Sequence, residues 1–269
     1  MGAGTSGGHS HPESLDALGS MLAAPNCLRS AEGVDSSRES SLELLEQIVK
    51  EDRTRLSPPR VALIDYGMGN LRSVAKAFEK VGGDVTVVDR PEGDDWDAVV
   101  LPGVGALGDC ISGLRSVGFD RWIADWIAAD RPFFGICLGL QALFDHSEEG
   151  GVEGLGIFAG NVIRFEVDRS LKVPHMGWNS VAFAGDEDDS LRANLSDGDQ
   201  FYFDHTYHVV PDNSGLTWCT TDYGGEFVSA IRRGNCVATQ FHPEKSQAKG
   251  LQIYMNFLNH AAGRTASAL

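Results

Sequence analysis

Length, composition and charge limit what this chain can do. Its 269 residues suffice for one large or two modest domains, and 42% hydrophobic with 22% charged residues is typical of globular chains. The formal net charge of −16 argues against partners such as nucleic acid or an anionic membrane surface. No apolar run approaches the roughly 18 residues of a membrane span. Five scattered cysteines without a CxxC pair predict neither disulfides nor zinc, and favour a cytoplasmic location.

Residues 1–59 differ in composition from the rest of the chain. They are rich in Gly, Ser and Ala, which predicts a disordered or weakly helical N-terminal extension. The spacing of its apolar residues also allows a short amphipathic helix at 41–56. The pair His9 and His11 is interpreted as solvated rather than as a metal site. We therefore expect one domain over residues 60–263, followed by a flexible C-terminus at 264–269.

Short apolar strands alternate with helices from Arg60 onward, and the texture becomes β-rich after Gly150. This alternation predicts an α/β domain in which helices cover both faces of a central, mostly parallel sheet, with an added β-rich part. The predicted strands are 61–65, 85–88, 98–101, 133–136, 156–165, 201–203, 207–210, 227–232 and 236–241. The predicted helices are 71–81, 119–129 and one that follows Ser246.

Cys137 lies where an apolar strand runs directly into a helix, with Gly135 and Gly139 two residues to either side. This pattern is typical of a nucleophile elbow, with sulfur in place of oxygen. The glycines permit the tight turn, the helix N-terminus favours the thiolate, and the backbone N–H of Leu138 can meet an oxyanion. An ordinary buried cysteine fits the motif alone equally well.

His242 and Glu244 supply the base and the group that orients it. In an extended chain, residues i and i+2 point to the same side, and Pro243 fixes the backbone between them. The carboxylate can then set the imidazole tautomer while the other ring nitrogen faces the thiol. A helix-capping Glu beside a surface His is the weaker alternative. Together with the elbow, the pair predicts cysteine-dependent catalysis.

Two glycine segments follow other predicted strands. In the first, 102–105, the backbone could supply a second oxyanion N–H, although a flexible turn is an equal alternative. The second, Gly67-x-Gly69, lacks the third glycine of a dinucleotide-binding loop because Arg72 stands there, so we expect no nucleotide cofactor.

Two further segments combine polar and aromatic residues. Residues 174–179 are predicted to form a turn whose composition suits an interface anchor. Residues 204–207 lie between two predicted strands and could form a ligand wall. For His205 alone, a structural histidine is the more favoured interpretation.

These motifs resemble the class I glutamine amidotransferases over about three-quarters of the chain, residues 60–263. GICLGLQ and HPE are shared across that class. Within it, the chain is most similar to the glutaminase subunits of imidazole glycerol phosphate synthases. DYGMGN and PHMGWN carry this narrower resemblance, because sister amidotransferases have different sequences at these positions.

The resemblance implies a flavodoxin-like amidotransferase fold and a function for each motif. Cys137 would be the nucleophile, His242 the general base and acid, and Glu244 its orienter. No metal or other cofactor is implied. Residues implied for the oxyanion and for binding L-glutamine are Gly103, Val104, Gly105, Leu138, Gln141, His205, Thr206 and Tyr207. Residues implied for the partner interface are Asn70, Pro174, His175, Met176, Gly177, Trp178 and Asn179.

In the resembled family, ammonia passes to a (β/α)₈-barrel cyclase subunit that makes imidazole glycerol phosphate and AICAR, so a 1:1 heterodimer is expected. Three alternatives stay open: the glutaminase of another amidotransferase, a stand-alone γ-glutamyl cysteine hydrolase, and a catalytically dead binding module. Two positions depart from the family pattern. Leu140 stands where Met is commoner, a volume-conserving change, and Asp204 stands where an apolar residue is usual.

Overall fold

The structure is a computed structural model that describes residues 57–93, 95–185 and 189–263. Most of the predicted extension at 1–59, the helix allowed at 41–56 and the terminus at 264–269 lie outside the described residues. No helix within the described ranges is long and apolar enough to cross a membrane.

Strands and helices alternate up to residue 143, strands predominate from residue 144 to residue 239, and a long helix ends the described part of the chain. The strands are β1 (Arg60–Ile64), β2 (Asp84–Val88), β3 (Ala98–Leu101), β4 (Phe133–Ile136), β5 (Phe144–Ser147), β6 (Val152–Glu153), β7 (Phe158–Arg164), β8 (His175–Ser180), β9 (Ala182–Phe183), β10 (Gln200–His205), β11 (Tyr207–Pro211), β12 (Thr217–Asp222), β13 (Glu226–Arg233) and β14 (Cys236–Thr239). The helices are α1 (Leu71–Lys80), α2 (Leu107–Val117), α3 (Phe119–Ala128), α4 (Leu138–Gln141) and α5 (Gln247–Ala261).

Five parallel strands form the first half of the main sheet, in the order β2-β1-β3-β4-β14. Their side chains alternate between two cores. On one face, Leu63 and Phe134 pack with Phe78 of α1 and Phe257 of α5. On the other face, α2 and α3 cover the sheet, with Ile123 among the buried residues. Helices on both faces explain why the central strands are continuous apolar runs in the sequence.

The second half of the main sheet joins through β13, which pairs antiparallel with β14, and continues β13-β11-β7-β5-β6. Strand β12 pairs with β13 and β9. Strands β8 and β10 form a separate antiparallel pair, in which Trp178 lies opposite Tyr202 and Met176 opposite Asp204. The predicted α/β class with an added β-rich part is confirmed.

Several elements differ from the sequence predictions. The segment 174–179 is not a turn: its residues from His175 onward form β8, and polar and apolar residues mix there because one face of the strand is exposed. The sequence pattern does not predict helix α2, since Gly108 and Gly113 weaken its helical character. Gly113 is required there because a Cβ would approach the carbonyl oxygen of Tyr66 to 2.9 Å. Strands β5, β6, β9 and β12 are short or irregular and are also absent from the sequence predictions.

Candidate active site

Two neighbouring parallel strands bring the predicted nucleophile and base together. Strands β4 and β14 pair in register, with Ile136 opposite Thr239. The N–H of Cys137 donates to the carbonyl of Thr239 at 2.7 Å, which continues the pairing one residue further. The carboxyl ends of parallel strands lie at one edge of a sheet, so Cys137 and His242 emerge side by side.

The turn at Cys137 is strained, and the strain lies on the cysteine itself. Its backbone angles are φ 53° and ψ −102°, a region that non-glycine residues rarely adopt. The sequence predicts that the flanking glycines permit the tight turn, but in the structure they permit close packing of helix α4 against the sheet. A Cβ at Gly135 would approach Gly139 O to 2.8 Å, and a Cβ at Gly139 would overlap the carbonyl oxygen of Leu101. The motif therefore presses helix α4 against the sheet.

His242 and Glu244 form a buried pair behind the thiol. The ring Nδ1 lies 2.9 Å from Glu244 Oε1, and the two side chains are only 3% and 1% exposed. The hydroxyl of Tyr254 donates to Glu244 Oε2 at 3.4 Å. Because Glu244 engages Nδ1, Nε2 is the nitrogen left for Cys137. This is the arrangement expected of a base and its orienter.

The charges around His242 favour its protonated form. Burial lowers the pKa of His242, but the adjacent Cys137 thiolate and the Glu244 carboxylate outweigh burial and raise this pKa to about 10. At neutral pH the ring therefore carries a proton on each nitrogen. Such a pair can attack through sulfur and then donate a proton from Nε2.

A cavity of about 260 Å³ opens over the sulfur of Cys137. Its size suits a small ligand, since it lies below the usual range for drug-sized molecules. Its wall combines residues 104–105 of the glycine segment with residues of helix α4, of the loop after β14 and of the β10–β11 connection. The lining residues are Val104, Gly105, Cys137, Leu138, Gln141, Glu149, Pro174, Asp204, His205, Thr206, Tyr207, His242 and Lys245.

Comparison with known proteins identifies the family to which this site belongs. Residues 62–261 match the family described as glutamine amidotransferase class-I. The chain belongs to the class-I glutamine amidotransferase family. It is 47% identical over 199 residues to imidazole glycerol phosphate synthase subunit HisH of Rhodopirellula baltica, covering 73% of this chain and 96% of that one. It is 50% identical over 208 residues to the protein of the same name from Nitrosococcus oceani, covering 74% and 96%.

Solved structures confirm the fold. A PurLQS structure from Thermotoga maritima superposes with a TM-score of 0.58 at 19% identity, covering 76% of this chain and 97% of that one. A glutamine amidotransferase from the same organism gives a TM-score of 0.56 at 15% identity, with coverages of 76% and 98%. The expected amidotransferase fold is therefore confirmed.

Most residues predicted to bind glutamine line the cavity of this amidotransferase, with Gly103 as the exception. Gly103 packs beneath the wall, where a Cβ would come within 2.5 Å of Leu138 Cβ. Gly105 has a positive φ of 95°, and a Cβ at this position would come within 2.5 Å of Met68 Cε in the DYGMGN turn. The two sequence motifs thus touch each other at the cavity edge.

Two of the residues predicted to bind glutamine, Gln141 and His205, already use most of their polar atoms in hydrogen bonds within the protein. The amide nitrogen of Gln141 donates to Tyr207 O at 3.0 Å and to Gln240 Oε1 at 3.1 Å. An amide nitrogen carries two protons, so only Oε1 of Gln141 is left for a ligand. His205 Nδ1 donates to Tyr207 O at 2.8 Å, and Nε2 lies 3.0 Å from His175 Nδ1. Its ring can form a wall but has no free proton to offer.

The residues predicted for the partner interface fall into exposed positions and buried or partly buried positions, which alternate along β8. Met176 and Trp178 point outward and are 61% and 45% exposed. His175 instead points inward, between the rings of Phe203 and Tyr223. Pro174 lines the cavity. The remaining predicted positions are Asn70, which precedes α1, and Gly177 and Asn179, which are partly exposed.

Three residues near the thiol have no role in the sequence predictions. Gln240 donates from Nε2 to Cys137 Sγ at 3.5 Å. Lys245 lines the cavity, and its Nζ lies 3.9 Å from Asp204 Oδ2. Glu149 also lines the cavity and accepts a hydrogen bond from the N–H of Leu107 at the start of α2. The sequence offers one indication of a role for Gln240: it lies two residues before His242, and residues i and i+2 of a strand share a face.

Proposed function

We propose that this chain is the glutaminase subunit of an imidazole glycerol phosphate synthase. The observation that carries the proposal is the buried His242–Glu244 pair beside Cys137 at the floor of the cavity, in a chain that spans 96% of the length of relatives with this name. The identity to those relatives favours this function over the glutaminase of another amidotransferase. A catalytically dead binding module would have no need for a strained, charge-paired thiol.

The reaction uses the charges of the site in sequence. The Cys137 thiolate attacks the side-chain amide carbon of glutamine, and the oxyanion that forms meets the backbone N–H groups of Leu138 and of residues 104–105. His242 then donates its Nε2 proton to the departing nitrogen, which leaves as ammonia. The neutral ring next takes a proton from water, which hydrolyses the γ-glutamyl thioester to glutamate. Glu244 keeps the ring oriented throughout.

The ammonia acceptor in this proposal is a (β/α)₈ cyclase subunit, bound 1:1. The exposed side chains of Met176 and Trp178 support a docking face here. They lie opposite Asp204 and Tyr202 on β10, and Asp204 also lines the cavity. A partner on this face would cover the cavity mouth and receive ammonia directly. We also propose a cytoplasmic location, which four unpaired thiols in the described part of the chain support.

Glutaminase activity of the full chain tests this proposal, measured first without a partner and then with the cyclase subunit plus its nucleotide ligand. We expect low activity without the partner and strong activation by the liganded partner. High activity that the partner leaves unchanged would indicate an independent hydrolase instead.

Replacement of the thiol gives the second arm of the test. Cys137→Ala should abolish glutamine-dependent product formation by the complex and leave ammonia-dependent formation intact. Cys219→Ala is the matched control, because that thiol is buried in β12, outside the cavity. Loss of both activities in Cys137→Ala would show that Cys137 is not the nucleophile.

A further inference from the structure

Gln240 is a fully buried amide in direct contact with the Cys137 sulfur. Its Nε2 donates to Cys137 Sγ at 3.5 Å, while its Oε1 accepts from Gln141 Nε2 at 3.1 Å. The second bond fixes which end of the amide faces the sulfur, because Gln141 offers a donor there and requires oxygen as its partner. The backbone N–H of Gln240 is held by Ser229 O at 2.8 Å. None of the catalytic steps above uses this side chain.

A series of hydrogen bonds continues from Gln141 to strands β11, β10 and β8. The second proton of Gln141 Nε2 goes to Tyr207 O at 3.0 Å, and His205 Nδ1 donates to the same oxygen at 2.8 Å. His205 Nε2 therefore carries no proton and accepts from His175 Nδ1 at 3.0 Å. The amide that faces the sulfur is thus tied to strands β8, β10 and β11.

The two histidines of this chain of bonds are neutral, which fixes the direction of each bond. Burial lowers the pKa of His205 to about 3 and that of His175 to about 4. With its proton on Nδ1, His175 presents Nε2 as an acceptor, and Asn179 Nδ2 lies 3.3 Å from it. Each bond of the series thus joins a donor to an acceptor, and donation from His205 and donation from Gln141 meet at the carbonyl oxygen of Tyr207.

We propose that Gln240 is a positioning residue for the Cys137 sulfur, held in register by the hydrogen bonds through Gln141, His205 and His175. The proposal rests on the proposed function in one respect, the use of Cys137 as nucleophile. An N–H that donates to sulfur stabilises the thiolate over the thiol and restrains the side chain toward the cavity. Gln240 itself is absent from the cavity lining, so it acts on the sulfur and leaves substrate contacts to other residues.

The test is the pH dependence of Cys137 alkylation by iodoacetamide in the full chain, followed by peptide mapping. Gln240→Met keeps the side-chain length and removes the donor. We expect the midpoint of the alkylation rate to move up by about one pH unit. We also expect kcat for glutamine hydrolysis to fall about tenfold while KM changes less than about twofold. A packing defect that lets water reach the buried thiol would instead move the midpoint downward, because water solvates the thiolate.

Gln252→Met is the matched control, because Gln252 is another buried amide, on α5, whose Nε2 donates to Asn256. It should leave the alkylation midpoint unchanged. Gln240→Glu is the second variant if Gln240→Met does not fold. It keeps an acceptor for Gln141, removes the donor and adds a like charge, so its midpoint should move further upward. A wild-type midpoint in a folded Gln240 variant would overturn the proposal.

His175→Phe tests the far end of the hydrogen-bonded series. Phenylalanine can keep the ring stacking against Phe203 and Tyr223, at centroid distances of 4.7 and 3.9 Å, and removes both hydrogen bonds. We expect a smaller midpoint shift in the same direction. If the alkylation midpoint of His175→Phe equals that of the wild type, the part of the proposal that extends beyond Tyr207 is overturned. Alkylation reads the thiol without turnover, so failure of the glutaminase proposal would remain distinguishable from failure of this one.

Discussion

The parallel half of the molecule, strands β1–β4 and β14 with their helices, and the antiparallel half, strands β7–β13, place their functional groups by different physical means. In the parallel half, Cys137 and His242 stand at the ends of paired strands, and backbone contacts with no space for a Cβ hold the elbow. In the antiparallel half, His175 and His205 act through a series of side-chain hydrogen bonds. Substitutions in the parallel half should therefore cause steric overlap with the backbone and large losses of stability and activity. Substitutions in the antiparallel half should remove single hydrogen bonds and cause smaller losses.

The largest effect is expected at Gly139, in the parallel half. Gly139→Ala drives a Cβ into the carbonyl oxygen of Leu101, and neither backbone can move without separating α4 from the sheet. We expect a loss of about 3 kcal/mol in the free energy of unfolding, measured by urea titration, together with loss of glutaminase activity.

Gly108→Ala is the control for Gly139→Ala. Gly108 lies in α2, and a Cβ there would meet Val152 at an ordinary 3.7 Å. This variant should gain up to about 1 kcal/mol, because alanine is the better helix former. Wild-type stability in Gly139→Ala would contradict the view that backbone overlap determines this region.

Glu244→Gln should produce the next largest effect, through the charge state of His242. Without the carboxylate, the pKa of His242 falls below its value of about 10, and kcat should fall by about 10²–10⁴-fold. An NMR titration of the His242 ring should show the lower pKa directly. An unchanged titration would mean that Cys137 alone raises it.

The same variant changes the pH dependence of stability. In the folded wild type the pKa of His242 is raised from 6.5 to about 10. Its contribution is therefore complete below about pH 6.5 and is lost as the pH rises through about 10. In Glu244→Gln the loss should begin at a lower pH. Thermal unfolding of both proteins between about pH 6 and 10.5 checks this shift.

Trp178→Ala tests the outer face of the antiparallel half. The side chain is 45% exposed, so more than half of it packs against the protein, and the free energy of unfolding should fall by about 1 kcal/mol. Affinity for the cyclase subunit should fall about 30-fold, the effect of losing an aromatic anchor. Calorimetric titration measures it, with Val87→Ala on the edge strand β2 as an exposed apolar control. Equal affinities for the two variants would place the interface elsewhere.

The parallel half could largely be predicted from the sequence, and the antiparallel half could not. Buried strands such as β4 are continuous apolar runs, and the motifs around Cys137 and His242 depend on local backbone rules. Strand β8 mixes exposed Trp178 with buried His175, so its composition resembles a turn. The bond from Gln240 to the sulfur depends on which strands are neighbours, which local patterns do not contain.

Asp204→Asn should have the smallest effect of all, although Asp204 departs from the family pattern beside the cavity. Its backbone oxygen, which lies 4.0 Å from Cys137 Sγ, is unchanged by the substitution. Its carboxylate lies 3.9 Å from Lys245 Nζ, and both side chains are about a third exposed, at 37% and 33%. Solvent screening limits such a pair to about 0.5 kcal/mol. We expect kcat and KM within about twofold of wild type, and a larger change would show that the Asp204 carboxylate itself contacts substrate.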